Sequence, residues 1–229
     1  MRIGISLPEL RANFCDQARR DVTAESTADR IRAIAIAAHA GDTGPALGAR
    51  ADADPQLRVA ALSALARAGG LDDATLREAL IDPEPRVRRR GCELAADHPD
   101  VSLLGALADG DPLVAEAAAW ALGEHGESVA VGAVEALARV VAEHPEPLVR
   151  EAAAAALGAI GDPAGLPAIL VAVGDVVTVR RRAVLALAPF EGAEVLAALE
   201  EAARDRDWQV RNAANDLLPF ATAPEDERP

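Results

Sequence analysis

The chain is 229 residues long, 51% apolar yet only 2% aromatic, with a net charge of −14 and 23 basic residues that are all Arg. That charge argues against nonspecific binding to nucleic acid or to anionic membrane, since both require a basic surface. With no Tyr, three Phe and two Trp, the core must come from closely approaching helices filled by Ala, Leu and Val, because Ala is the best helix former and strand-forming aromatics are scarce.

At the amino terminus, Met1 to Leu10 holds one Arg and lacks the apolar core, of about 7–15 residues, that marks a secretory signal. No run approaches the ~18 apolar residues of a membrane span, so a cytoplasmic location is expected. Residues 1–41 are read as a capping helix pair. Its first helix falls within 1–25, starting at Pro8 and turning Leu10, Phe14 and Ala18 inward. Cys15 and Cys92 are lone thiols without Cys-x-x-Cys spacing, which gives no support for a disulfide framework or a zinc site, and both are expected to be buried or idle.

From there a unit recurs. Anchored on Val-Arg or a relative of it, copies fall at Asp29-Arg30, Leu57-Arg58, Val87-Arg88, Val114-Ala115, Val149-Arg150, Val179-Arg180 and Val210-Arg211, with spacings of 28, 30, 27, 35, 30 and 31 residues. Eight residues after each anchor stands Ala37, Leu65, Ala95, Leu122, Leu157, Leu187 or Leu218. Twelve after it, in four copies, stands Gly41, Gly69, Gly126 or Gly161. A turn bearing Asp54-Pro55, Asp82-Pro83, Asp111-Pro112 or Glu146-Pro147 precedes the anchor, so the acid is expected to cap free N–H groups and Pro to occupy the first helical turn. The apolar offsets 0, +4 or +5, +8 and +11 then describe one buried stripe of a helix, which Gly stops. A shorter preceding helix, such as Leu166 to Val173, supplies a second layer.

A pair of about 30 residues cannot bury its own stripe and must stack on its neighbours. The prediction is therefore an all-α chain, residues 1–220 forming one solenoid of about seven helix pairs: the cap of 1–41 and six further pairs over 42–220. Residues 221–229, ending Pro-Glu-Asp-Glu-Arg-Pro, are expected to be a disordered tail.

In its fullest copy, residues 146–163, the sequence follows Asp-Pro-x-Val-Arg-x-x-Ala-Ala-x-Ala-Leu-Gly-x-Ile-Gly-Asp almost throughout, with looser copies across 26–218. This pattern resembles the HEAT repeat of the phycobilisome-lyase-like type, within the HEAT/armadillo superhelix proteins. The resemblance implies a right-handed α-solenoid. It implies no single function, because such proteins include scaffolds, bilin lyases and di-iron deoxyhypusine hydroxylases. The hydroxylase relatives hold iron with paired His-Glu dipeptides. Here no His-Glu occurs, only the reversed Glu124-His125 and Glu143-His144 with His39 and His98. Thus no metal ligand, catalytic residue or cofactor is carried over, and the histidines are expected to be solvated or to cap helix C-termini.

Offsets +2, +3, +6 and +10 point away from the buried stripe, toward the concave side of such an array. They select Arg89, Arg90, Glu93, Glu116, Trp120, Glu124, Glu151, Arg181 and Arg182 as candidate partner-binding residues. The first Arg of each triplet, Arg88 and Arg180, belongs to the repeat and is expected to pair with an Asp of an adjacent turn. The remaining Arg of each triplet either hold an anionic peptide or phosphate or form a solvated face. Trp120 either projects into the groove or folds over a neighbouring Ala-rich helix, and Trp208 is expected to shield the last repeat. With no nucleophile and base at useful spacing and no phosphate-cradling Gly loop, the expected function is a non-enzymatic scaffold for a protein or peptide. The alternative is a bilin-lyase-like or hydroxylase-like enzyme.

Overall fold

A computed structural model describes residues 26–222, and among them every regular element is a helix. The chain divides into two compact units, Met1–Gly70 and Leu71–Pro229. In the first, α1 (Thr27–His39), α2 (Gly44–Ala49) and α3 (Pro55–Arg67) pack around Ile34, Ala38, Ala46, Leu57 and Leu65. Thr27 Oγ1 donates to Asp54 Oδ2 at 2.8 Å and Arg30 pairs with Asp52, tying α1 to the turn before α3.

The second unit contains α4 (Asp73–Ala79), α5 (Pro85–Leu94), α6 (Pro112–Glu124), α7 (Ala133–Glu143), α8 (Pro147–Ile160), α9 (Leu166–Ala172), α10 (Val177–Ala186), α11 (Ala193–Ala202) and α12 (Trp208–Thr222). One layer is the row α5, α6, α8, α10, α12, each in contact with the next. α4, α7, α9 and α11 back them as the second layer. Val87, Val114, Val149, Val179 and Val210 at offset 0, and Ala95, Leu122, Leu157 and Leu187 at +8, are buried as the stripe requires. Leu218 is only half-buried, the last helix having no successor in the described row.

Several details depart from expectation. Before α6 the second-layer helix is reduced to a 3₁₀ turn, Ala106–Ala108, and the core there is sealed by Val101, Leu103 and Leu107. This copy has the shortest spacing, 27 residues, and Gly105 and Gly110 interrupt it, so no full helix fits. At α5 the capping residue is Glu84 and the first-turn proline Pro85. The predicted Asp82-Pro83 lies before them, with Asp82 accepting the Glu84 N–H. Asp54 and Asp111 do cap through their side chains, but Glu84 and Glu146 do not. Asp111→Ala is therefore expected to cost about 1 kcal/mol in urea melts and Glu146→Ala only a few tenths; equal losses would contradict this capping difference. Trp208 opens α12 and is 60% exposed, so it does not shield the last repeat. Gly41, Gly69, Gly126 and Gly161 take positive φ just past their helices, as a stop signal demands.

The tail expectation changes in part, since α12 continues through Ala221 and Thr222, while residues 223–229 and the predicted first helix within 1–25 lie outside the described residues. Among the described residues no helix is long and apolar enough to cross a membrane. Cys92 is fully buried, and desolvation pushes its thiol up to about 12. In a Cys15→Ser background, Cys92 should resist a thiol reagent in buffer and react once in denaturant; fast labelling of the folded chain would overturn this.

Candidate binding groove

On α6, Glu116, Trp120 and Glu124 stand four residues apart, about 6 Å of helix rise between successive side chains, so the indole has a carboxylate one turn to either side. From α8 come Leu148, Glu151, Ala152, Ala155 and Ala159, and from α10 Arg182. Together with Gly123 and Ala156 they line one open groove of about 480 Å³. Its floor is shallow-sided and apolar because the facing residues are Ala and Gly. Trp120 is 45% exposed and lines this groove beside the Ala-rich face of α8.

The groove lining carries three carboxylates against one guanidinium. Arg182 Nε lies 3.7 Å from Glu151 Oε1, whereas Glu116 and Glu124 have no ion-pair partner among the described residues. Of the nine candidates, Glu116, Trp120, Glu124, Glu151 and Arg182 thus meet in one place. The other four do not line it. On α5, Arg89 Nε sits 3.0 Å from Glu93 Oε1 without hydrogen-bond alignment, and Arg90 donates to Glu93 Oε2 at 2.8 Å. Arg181 donates to Gln209 Oε1 at 3.1 Å. Leu148, at offset −1 in the first helical turn, lines the groove but escaped the offset rule.

The expected ladder joins successive copies. Arg88 reaches Asp109, Arg150 reaches Asp175 and Arg180 reaches Asp205, each through two N–H groups on two carboxylate oxygens at 2.7–3.0 Å. Each of these Arg also donates to a backbone carbonyl of its own turn, Asp82, His144 or Asp175. The guanidinium contacts hold Asp109, Asp175 and Asp205 below the ordinary carboxylate range, with backbone N–H groups adding to the effect. The rung between the fourth and fifth copies is missing on both sides at once. Ala115 stands where Arg would be. His144 stands where Asp would be, its Nδ1 accepting the Glu146 N–H at 3.2 Å.

The histidines are not merely solvated. His125 takes the C-cap position of α6 but is 7% exposed, with Nε2 2.9 Å from the Ala95 carbonyl, and His98 lies 2.8 Å from Asp73. Among the described residues no three His, Cys, Asp or Glu side chains come together as a metal-binding group.

Comparison with known proteins agrees with this architecture. Residues 99–177 match the family model described as HEAT repeats. Among solved structures, YibA of E. coli is similar with a TM-score of 0.58 and 18% identity, covering 96% of this chain and 77% of that one. Human deoxyhypusine hydroxylase in complex with glycerol aligns at a TM-score of 0.44 and 21% identity, over 86% of this chain and 80% of that one. No curated protein matches the sequence. The likeness to YibA is one of fold.

Proposed function

In a chain built of HEAT repeats, we propose that the groove over α6, α8 and α10 is the working face of a cytoplasmic, non-enzymatic scaffold that holds a protein or peptide partner. One observation carries this reading. Five of the nine residues selected by repeat offset meet in one groove of about 480 Å³ around a half-exposed Trp. Aromatic side chains with charged neighbours are the usual anchors of interfaces, and a stacked helix array offers its inner row as an extended surface for such contacts. Arg89, Arg90, Glu93 and Arg181 occupy equivalent offsets on α5 and α10 and would flank a partner longer than the groove.

The test places a photo-crosslinking residue at Ala155, on the groove floor, or at Arg139, exposed on α7 in the other layer. Discrete adducts from native extract at Ala155, absent at Arg139 and abolished by Trp120→Ala in a protein that remains equally helical, are expected. Identical labelling from both positions would sink the reading.

A further inference from the structure

We infer that the groove selects a basic partner, an extended peptide segment that lays an Arg or Lys side chain on Trp120 between Glu116 and Glu124. This rests on the groove being a protein-binding face and adds the chemistry of what it takes. The stripe on α6 sets the exposed indole between two carboxylates that have no ion-pair partner among the described residues. A cation over an indole face is attracted by the ring quadrupole, and a planar guanidinium can stack there while directing its N–H edge at flanking carboxylates. The floor of Ala152, Ala155 and Ala159 beside Leu148 suits the methylene stem of such a side chain.

An acidic segment would meet the opposite. Glu116 and Glu124 would repel it, and the arginines that might compensate are engaged: Arg182 faces Glu151, while Arg89 and Arg90 share Glu93. Three carboxylates against one guanidinium leave the lining at a formal −2, within a chain of net charge −14. Both the local and the long-range fields draw cationic segments, the latter weakening as salt rises.

With two Trp and no Tyr in the chain, Trp208→Phe leaves Trp120 as the single fluorescent reporter. Titrating this protein with a capped (Gly-Ser-Arg)₄ peptide should shift Trp120 emission to saturation, with affinity falling as salt is added. A capped (Gly-Ser-Glu)₄ peptide should leave the emission unchanged. In anisotropy with a labelled Arg peptide, Glu116→Gln/Glu124→Gln and, separately, Trp120→Ala should each weaken binding tenfold or more with helicity unchanged.

Binding of the Glu peptide as tightly as the Arg peptide, or Arg-peptide binding indifferent to these substitutions, would overturn the inference. So would the lack of any response to Arg and Lys peptides up to about 1 mM, the scale of very weak association. If groove-specific crosslinks at Ala155 persist in that last case, only the basic-partner inference falls and the scaffold reading stands. If they are missing as well, both fall.

Discussion

Arg180→Met should lower unfolding free energy by about 2–3 kcal/mol, because the methionine keeps much of the aliphatic stem while Asp205 loses two N–H donors and the Asp175 carbonyl a third. Arg180 is 8% exposed, so water restores little of what is lost. For a chain of this size the loss corresponds to a fall in Tm of roughly 5–10 °C. Arg211 provides the internal comparison. It donates to its own-turn carbonyls, Asp205 and Arg206, and has no carboxylate partner among the described residues, so Arg211→Met should cost under about 1 kcal/mol. The pH dependence follows from Asp205, whose carboxyl lies below its ordinary value chiefly because of the Arg180 hydrogen bonds. A carboxylate with a depressed folded pKa contributes stability that is complete above its unfolded pKa, near 3.9, and disappears as pH falls through the folded value. Wild type carries that contribution and the variant does not, so the gap between them should be widest near neutral pH and narrow as pH drops to about 3. Urea melts of both proteins across that range measure it. A gap that stays constant would assign the loss to packing of the Arg stem and remove the ladder as a source of stability.

How much of this was legible beforehand depends on whether a residue's role is set by its own copy or by the next. Val149, Leu157 and Gly161 could be placed from periodicity because burial and helix termination repeat with the unit. The Arg–Asp ladder was legible for the same reason, each Arg meeting the turn that precedes the following copy, 21 residues on for Arg88 and 25 for Arg150 and Arg180. Composition could not show that Arg89 and Arg90 converge on one carboxylate, Glu93, or that Arg182 turns to Glu151. Such pairings are decided by rotamer and by which neighbouring helix is near, not by offset. For the same reason five of nine candidates could be brought together while four were not. Leu148 escaped because it sits in the first helical turn, ahead of the counted face. The shortened second layer before α6 was visible as a spacing of 27, but a spacing alone does not say which helix is lost. His125 does sit at the C-cap of α6, one of the two roles expected of the histidines, but its ring is buried, with Nε2 2.9 Å from the Ala95 carbonyl of the preceding copy, a contact that offset alone does not show.

Gly158→Ala is the second substitution with a large expected effect, and its direction runs against helix propensity. Replacing a mid-helix Gly by Ala ordinarily gains up to ~1 kcal/mol. At Gly158 the added Cβ would lie 2.7 Å from both Cα and Cβ of Ala186 and 3.0 Å from its carbonyl oxygen, so α8 and α10 would have to separate; no flexible side chain is there to give way. Overpacking of this kind costs about 1–3 kcal/mol, leaving a net loss of roughly 2 kcal/mol at the upper end. A Cβ added at Gly123 would likewise lie 2.9 Å from Ala156 Cα, between α6 and α8, and Gly123→Ala should respond similarly, whereas a Cβ at Gly48 on α2 would meet nothing within 4 Å, so Gly48→Ala should be stabilising. Thermal melts of the three variants check these signs, and a neutral or stabilising Gly158→Ala would show that α8 and α10 are free to separate. The consequence reaches the groove. Glu151 and Arg182 face each other across this α8–α10 contact at 3.7 Å. A variant that remains folded with the helices pushed apart should therefore release Glu151 from Arg182, add an unpaired carboxylate to the lining, and bind the Arg peptide at least as tightly as wild type despite its lower Tm.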